Sequence, residues 1–233
     1  MRIVNRVYLV ATPSQCSNFV EWKQITSISA VGTTAKVDKD KLGRYTQWDE
    51  NRDGKVTKEE AHNYITADNI PVEFTVKGTT AYMTGVITSS LPSKVLQLIF
   101  EHPEVTTIEM ITVPGSIDDD ANLRAGLYVY ERGLTTKLNS RSAVASGGTD
   151  FFLAGKQRIV EQGAVLGVHS WGGGNVPATE VPKEDPVHTK YLEFYEKVDI
   201  PTSFYWYTLE VAPAKNMHTM TEEEIKKYNV RKN

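Results

Sequence analysis

The chain has 233 residues, 40% of them hydrophobic and 24% charged, with a formal net charge of −3. That length can bury a real core as one large or two small domains, and the fractions are those of a globular protein. The charge excludes a nucleic-acid or anionic-membrane partner held by bulk electrostatics, and no apolar run approaches the ~20 residues of a membrane-spanning helix.

In chain order, residues 1–35 carry two weak apolar stretches, 3–11 and 19–28, read as strand or irregular. The run Val7-Tyr8-Leu9-Val10 is too short for the apolar region of a leader, so the chain is either cytoplasmic or begins after a removed leader. Cys16 is the only cysteine, which rules out an internal disulfide; a small buried hydrophobe is its expected role.

Residues 49–60 match the twelve-residue EF-hand calcium loop. Asp49, Asn51 and Asp53 supply side-chain oxygens at positions 1, 3 and 5. Lys55 supplies its backbone carbonyl, Thr57 stands at the direct or water-mediated position, and Glu60 closes the shell bidentately. Gly54 permits the sharp turn and Val56 points inward at position 8. Residues 39–48 and 59–65 read as the entering and exiting helices. No second loop of this spacing occurs to pair with it, so the Ca2+ is expected to act as a structural clip. The domain boundary is placed at 70/71.

From Val72 onward strands and helices alternate, the order of an α/β domain. Residues 74–76 and 81–86 form strands around Gly78-Thr79, then come a helix over 93–102 and a strand over 107–113. A helix over 121–132 is capped by Asp118-Asp119-Asp120, followed by a strand over 138–144 and a helix from Gly147. Further strands lie near 158–160 and 165–168. Residues 172–186, rich in Gly, Pro and acidic groups, read as a mobile loop. The aromatic series from Tyr191 to Tyr207 reads as core packing, the alternative being the lining of a substrate groove for extended or apolar side chains, and Thr221 with Glu224 as the capping box of a last helix.

Three glycine-flanked strand ends carry the chemistry: Val113-Pro114-Gly115-Ser116, Val144-Ala145-Ser146-Gly147-Gly148 and Gly167-Val168-His169-Ser170. Acyl transfer needs a hydroxyl nucleophile, a base and free N–H groups for the oxyanion. Ser146, at the head of a helix, is the candidate nucleophile and His169 the base. Gly115, Ser116 and Gly147 are the candidate oxyanion turn.

In this order the motifs resemble the Clp protease proteolytic subunit and its relatives in the Clp/crotonase superfamily, over roughly residues 73–230. Pro114-Gly115-Ser116 resembles the family's Pro-Gly-Gly-Ser turn, one glycine short. Ala145-Ser146-Gly147 resembles its nucleophile, Ala154-Gly155-Lys156-Gln157-Arg158 its small-Gly-x-x-Arg stretch, and Val168-His169 its histidine strand. The resemblance implies a spiral of ββα units, a Ser–His peptidase or esterase acting on a peptide or ester, and self-association. It is strongest to Clp-like proteins of extracytoplasmic type, which favours a periplasmic or secreted location. Where the family places its catalytic Asp this chain has Asn216, Met217 and His218. Either Asn216 orients the imidazole or the pair works as a dyad.

Two other readings stand beside this one. Val168-His169-Ser170-Trp171-Gly172 resembles the nucleophile elbow of α/β-hydrolases, with Ser170, Asp199 and His218 in that family's order. The missing Asp and the lost glycine also suit a calcium-stabilised binding protein without catalysis.

Overall fold

A computed structural model describes residues 34–36, 55–57, 71–173, 176–214 and 216–232. The chain divides into two compact units, Met1–Thr66 and Ala67–Asn233.

In the first unit two short strands, β1 (Thr34–Lys36) and β2 (Lys55–Thr57), pair antiparallel with Ala35 opposite Val56. β2 is the part of the proposed calcium loop that begins at Lys55 and ends at Thr57. Position 8 of that loop is therefore paired, and its partner is a strand outside any second loop. The other proposed ligands, Asp49, Asn51, Asp53 and Glu60, lie outside the described residues, as do the expected flanking helices and the stretches 3–11 and 19–28.

The second unit opens with a hairpin, β3 (Glu73–Lys77) and β4 (Thr80–Thr84), turned at Gly78 with φ 58°. Helix α1 (Leu91–Glu101) crosses back to β5 (Thr107–Val113), which lies parallel to β4. α1 starts two residues ahead of the expected helix because Leu91 is buried and Pro92 fits a first turn, where its missing N–H costs nothing. Helix α2 (Asp119–Arg132) is capped by Asp118, whose carboxylate accepts from Ala121 N at 3.0 Å, and it ends at Gly133 in the left-handed region.

Here the sheet forks. The start of β5 pairs with β6 (Thr135–Leu138) and its end with β7 (Ala143–Ala145), both parallel. The single strand expected over 138–144 is thus two strands on different partners. Asn139 breaks it: its side chain accepts from Arg141 N at 2.7 Å in a local turn, and Ser142 Oγ then donates to Met110 O at 2.5 Å. Helix α3 (Gly147–Leu153) follows, then β8 (Gln157–Val160) beside β6 and β9 (Val165–Val168) beside β7. Two strands and a helix thus recur, with each pair of strands diverging into two arms of the sheet. This is the ββα architecture that the resemblance implied.

Past β9 the segment read as a mobile loop holds a small hairpin, β10 (Gly172–Gly173) with β11 (Val176–Pro177), and 3₁₀ turns at Ala178–Glu180 and Pro186–His188. Helices α4 (Thr189–Lys197) and α5 (Ser203–Val211) bring Phe194, Tyr195, Phe204 and Tyr205 against Phe151 and Phe152 of α3, all of them buried. Phe194 and Phe204 are core, as the pattern predicts, while Tyr191, Tyr195 and Tyr205, also buried, line a cleft. Strand β12 (His218–Thr219) pairs antiparallel with β9, and α6 (Glu222–Lys227) carries the Thr221–Glu224 capping box in full.

Arg158, fully buried on β8, ties this C-terminal half together. Its guanidinium donates to the carbonyls of Leu153, Gly155, Val198, Asn229 and Val230 at 2.9–3.2 Å. Burial lowers its pKa to about 10, which leaves it charged at neutral pH.

Candidate active site

Ser146 sits where β7 gives way to α3, with φ 53° and ψ −130°. A side chain at positive φ is strained, and such a residue persists only where its surroundings fix it. Ser146 N donates to Gly167 O at 2.9 Å, and Thr149 N donates to Ser146 O at 2.8 Å. Thr149 Oγ1 donates to the same Gly167 carbonyl at 2.8 Å. The strand β9 therefore clamps the junction from one side.

The other side is the turn after β5. A Cβ added at Gly115 would lie 3.3 Å from Ser146 Cβ and 3.7 Å from its Oγ, so the turn is in contact with the hydroxyl-bearing carbon. Gly115 has φ 153°. A methyl at Gly147 would run into Ser116, and one at Gly148 into the Val113 carbonyl. Two glycines after the serine are what let the two turns approach this closely.

Gly115 O accepts from Ile87 N at 3.0 Å and Ile117 N donates to Ile87 O at 2.9 Å, leaving Ser116 N between them without a backbone partner among the described residues. Gly147 opens α3, so its N–H has no intrahelical acceptor. Asn122 Nδ2 holds the Gly147 carbonyl at 2.8 Å, and Ser116 Oγ donates to Asp119.

His169 follows β9 and is half-buried. Burial lowers its pKa below the usual histidine value, outweighing the nearby Ser170 and Ala214 backbone and the charge of Asp119, which act the other way. Its Nδ1 is buried without a hydrogen-bond partner among the described residues. Ser146 and His169 line one cleft, about 410 Å³ of space continuous with solvent, without a direct hydrogen bond between them.

Asn216 makes no hydrogen bond to the His169 ring among the described residues; it is exposed, and its N donates to Pro213 O at 2.8 Å. The alternative trio does not assemble either. Ser170 is buried with Oγ on the Trp171 carbonyl, Asp199 binds Lys232 and Tyr130, and His218 binds Glu224 at 2.8 Å. Ser170 is also absent from the lining of the cleft.

Sequence reasoning missed two carboxylates in that lining, Asp119 and Asp150. Tyr191 OH donates to Asp119 at 2.6 Å and Tyr195 OH to Asp150 at 2.5 Å. Asp150 is half-buried, at the wall of the cleft. Burial pushes its pKa up to about 7, Tyr195 opposes the rise and Asp119 adds to it. One signal was available: Asp150 lies four residues after Ser146, hence on the same face of α3. The tyrosine partners come from 45 and 72 residues away and left none.

By its own strand order, the fold is Clp/crotonase-like. No family model matches the chain and no curated protein does. Among solved structures it is similar to a membrane-bound stomatin-specific protease in complex with a substrate peptide, at 15% identity and a TM-score of 0.44, covering 67% of this chain and 75% of that one. It is similar also to an enoyl-CoA hydratase from Polaromonas sp. JS666, at 10% identity and a TM-score of 0.45, over 70% and 69%. An enoyl-CoA isomerase of Mtb gives 13% identity and a TM-score of 0.44, over 69% and 75%.

Proposed function

We propose that the chain is a serine hydrolase, a Clp-like peptidase or esterase working through a Ser146–His169 dyad. The observation that carries this is the strained Ser146, held at a strand-to-helix junction and sharing one cleft with His169. A serine that only caps a helix has no need of positive φ, and its side chain accepts from the first turn; Ser146 Oγ makes no such capping bond.

In this reading His169, neutral at pH 7, takes the Ser146 proton as Oγ bonds to the substrate carbonyl carbon. The N–H groups of Ser116 and Gly147 receive the oxyanion. The bond to the leaving amine or alcohol then breaks, and His169 returns the proton to that group. Water repeats the two steps and releases the acid. The unpartnered His169 Nδ1, with no bond from Asn216 to the ring among the described residues, favours a dyad over a triad.

Ca2+ held by Asp49, Asn51, Asp53, the Lys55 carbonyl, Thr57 and Glu60 is proposed as a stabiliser of the first unit, with no part in the chemistry. Self-association and an extracytoplasmic location are proposed on the family resemblance alone. Among the described residues no helix is long and apolar enough to cross a membrane.

A fluorophosphonate probe tests the site. Wild-type protein should be labelled at Ser146 and Ser146→Ala should not; His169→Ala should lower ester turnover by about 10²–10⁴. The acid limb of kcat/KM should fall below the ordinary histidine value of ~6.5, because burial lowers the pKa of the base. Unlabelled, folded wild-type protein would refute the hydrolase and leave a binding protein on this fold.

A further inference from the structure

Asp150 has no part in the dyad chemistry, yet it is placed to meet whatever the dyad acts on. It lies one helical turn beyond Ser146 and lines the same cleft. Among the described residues its carboxyl accepts one hydrogen bond, from Tyr195 OH to Oδ1, and Oδ2 accepts none. Asp119, the second carboxylate of the lining, is likewise in no ion pair among the described residues; the nearby Lys190 binds Asp120 instead. Among the described residues neither Lys nor Arg lines the cleft. Two acidic groups thus face one cleft, with His169 the only basic group of its described lining.

The walls are a second, independent observation. Tyr191, Tyr195, Tyr205 and Trp171 line the cleft, and Tyr191 and Tyr205 stack with centroids 5.2 Å apart and planes 14° apart. Trp171 Nε1 donates to Tyr205 OH at 2.8 Å, and that hydroxyl is bonded in turn to buried His188, which fixes the wall. Aromatic faces attract cations electrostatically, the more so where water is excluded, and they pack on methylene stems. An anionic substrate group would meet two like charges here. An apolar one would leave both carboxylates facing it uncompensated. A metal ion suits the geometry less well, since no group of three or more His, Cys, Asp or Glu among the described residues could hold one.

We infer that the aromatic-walled cleft beside Ser146 is a subsite for a Lys or Arg side chain of the substrate, with Asp150 as its principal counter-charge and Asp119 as the second. The inference rests on the hydrolase reading for the scissile bond, but the binding of the cation does not require turnover. Asp150 is a specificity residue, and its near-neutral acidity when the cleft holds no cation agrees with that role.

The test has a binding arm and a turnover arm. Ser146→Ala protein is titrated with p-aminobenzamidine and followed by its fluorescence. Saturable binding is expected, displaced by lysine amide and not by norleucine amide, and adding Asp150→Asn should weaken it about tenfold or more. With active protein, the ratio of kcat/KM for Lys over Leu fluorogenic esters should exceed about ten and fall towards one in Asp150→Asn. The displacement experiment needs no change at Asp150, so a misfolded variant cannot hide the answer. No saturable binding, or equal displacement by lysine and norleucine amides, overturns the subsite. Fluorophosphonate labelling of the same wild-type sample would then leave the hydrolase reading standing, whereas loss of labelling with amidine binding intact would refute the hydrolase and keep the cation site.

Discussion

Asp150 is a carboxylic acid poised between its two charge states, and that has a consequence for stability separate from any substrate. Its folded-state pKa, about 7, lies above the ordinary 3.8, so the folded protein holds a proton that the unfolded chain has released. The stabilisation is complete below the lower value and is lost as pH rises through the upper one. Asp119, His169, Tyr191, Tyr195 and Tyr205 share its cleft; of these Asp119 deepens the effect and the Tyr195 hydroxyl moderates it. Asp150→Asn cannot ionise and can still accept from Tyr195. Its melting temperature relative to wild type should therefore rise between about pH 5 and pH 8, with the variant the more stable at the upper end. An offset independent of pH would mean that the carboxyl titrates at its ordinary value.

At the scale of elements, the site is made by two strand ends that approach more closely than side chains allow. Gly148 packs against the Val113 carbonyl of the neighbouring strand β5, where a methyl has no room and the obstacle is backbone. Gly148→Ala should cost about 1–3 kcal/mol, read as a lower denaturant midpoint, because one of the two turns must shift. Gly133→Ala is the control: that glycine has φ 76° and open space around it, so only backbone strain of about 1–2 kcal/mol applies. Gly148→Ala should also reduce fluorophosphonate labelling, whereas Gly133→Ala should leave it alone. The same elements mark how far the sequence could be read. Hairpin β3–β4, strand β5 and the capped helices α2 and α6 were legible because periodicity, turn glycines and caps are local signals. The division of residues 135–145 into β6 and β7 was not, since nothing local says that one apolar pattern serves two arms of a sheet. The positions of Ser146 and His169 in one cleft followed from motif order. The carboxylate floor did not, because Tyr191 and Tyr195 reach Asp119 and Asp150 only through tertiary packing. Asn216 makes no bond to the ring among the described residues, and its place beside β9 comes from the antiparallel pairing of β12, which no local signal announces.

At the scale of the whole molecule, two compact units should answer differently to metal and to heat. The second unit is held by its aromatic core and by Arg158, whose five carbonyl partners would be left unsatisfied by its removal. It contains no group of three or more His, Cys, Asp or Glu able to hold a metal among its described residues. Every proposed calcium ligand lies in the first unit, between Asp49 and Glu60. A ligand bound only by the folded state stabilises it by mass action, about 2.7 kcal/mol at a hundred times the dissociation constant. Calorimetry with calcium and with chelator should therefore move one transition and leave the other in place. Glu60→Gln, which removes the bidentate carboxylate that closes the shell, should abolish most of that shift while fluorophosphonate labelling of Ser146 persists. A thermogram indifferent to chelator would eliminate the calcium loop. If calcium moved both transitions together, the two units would be one thermodynamic body and the metal would be stabilising the second unit as well.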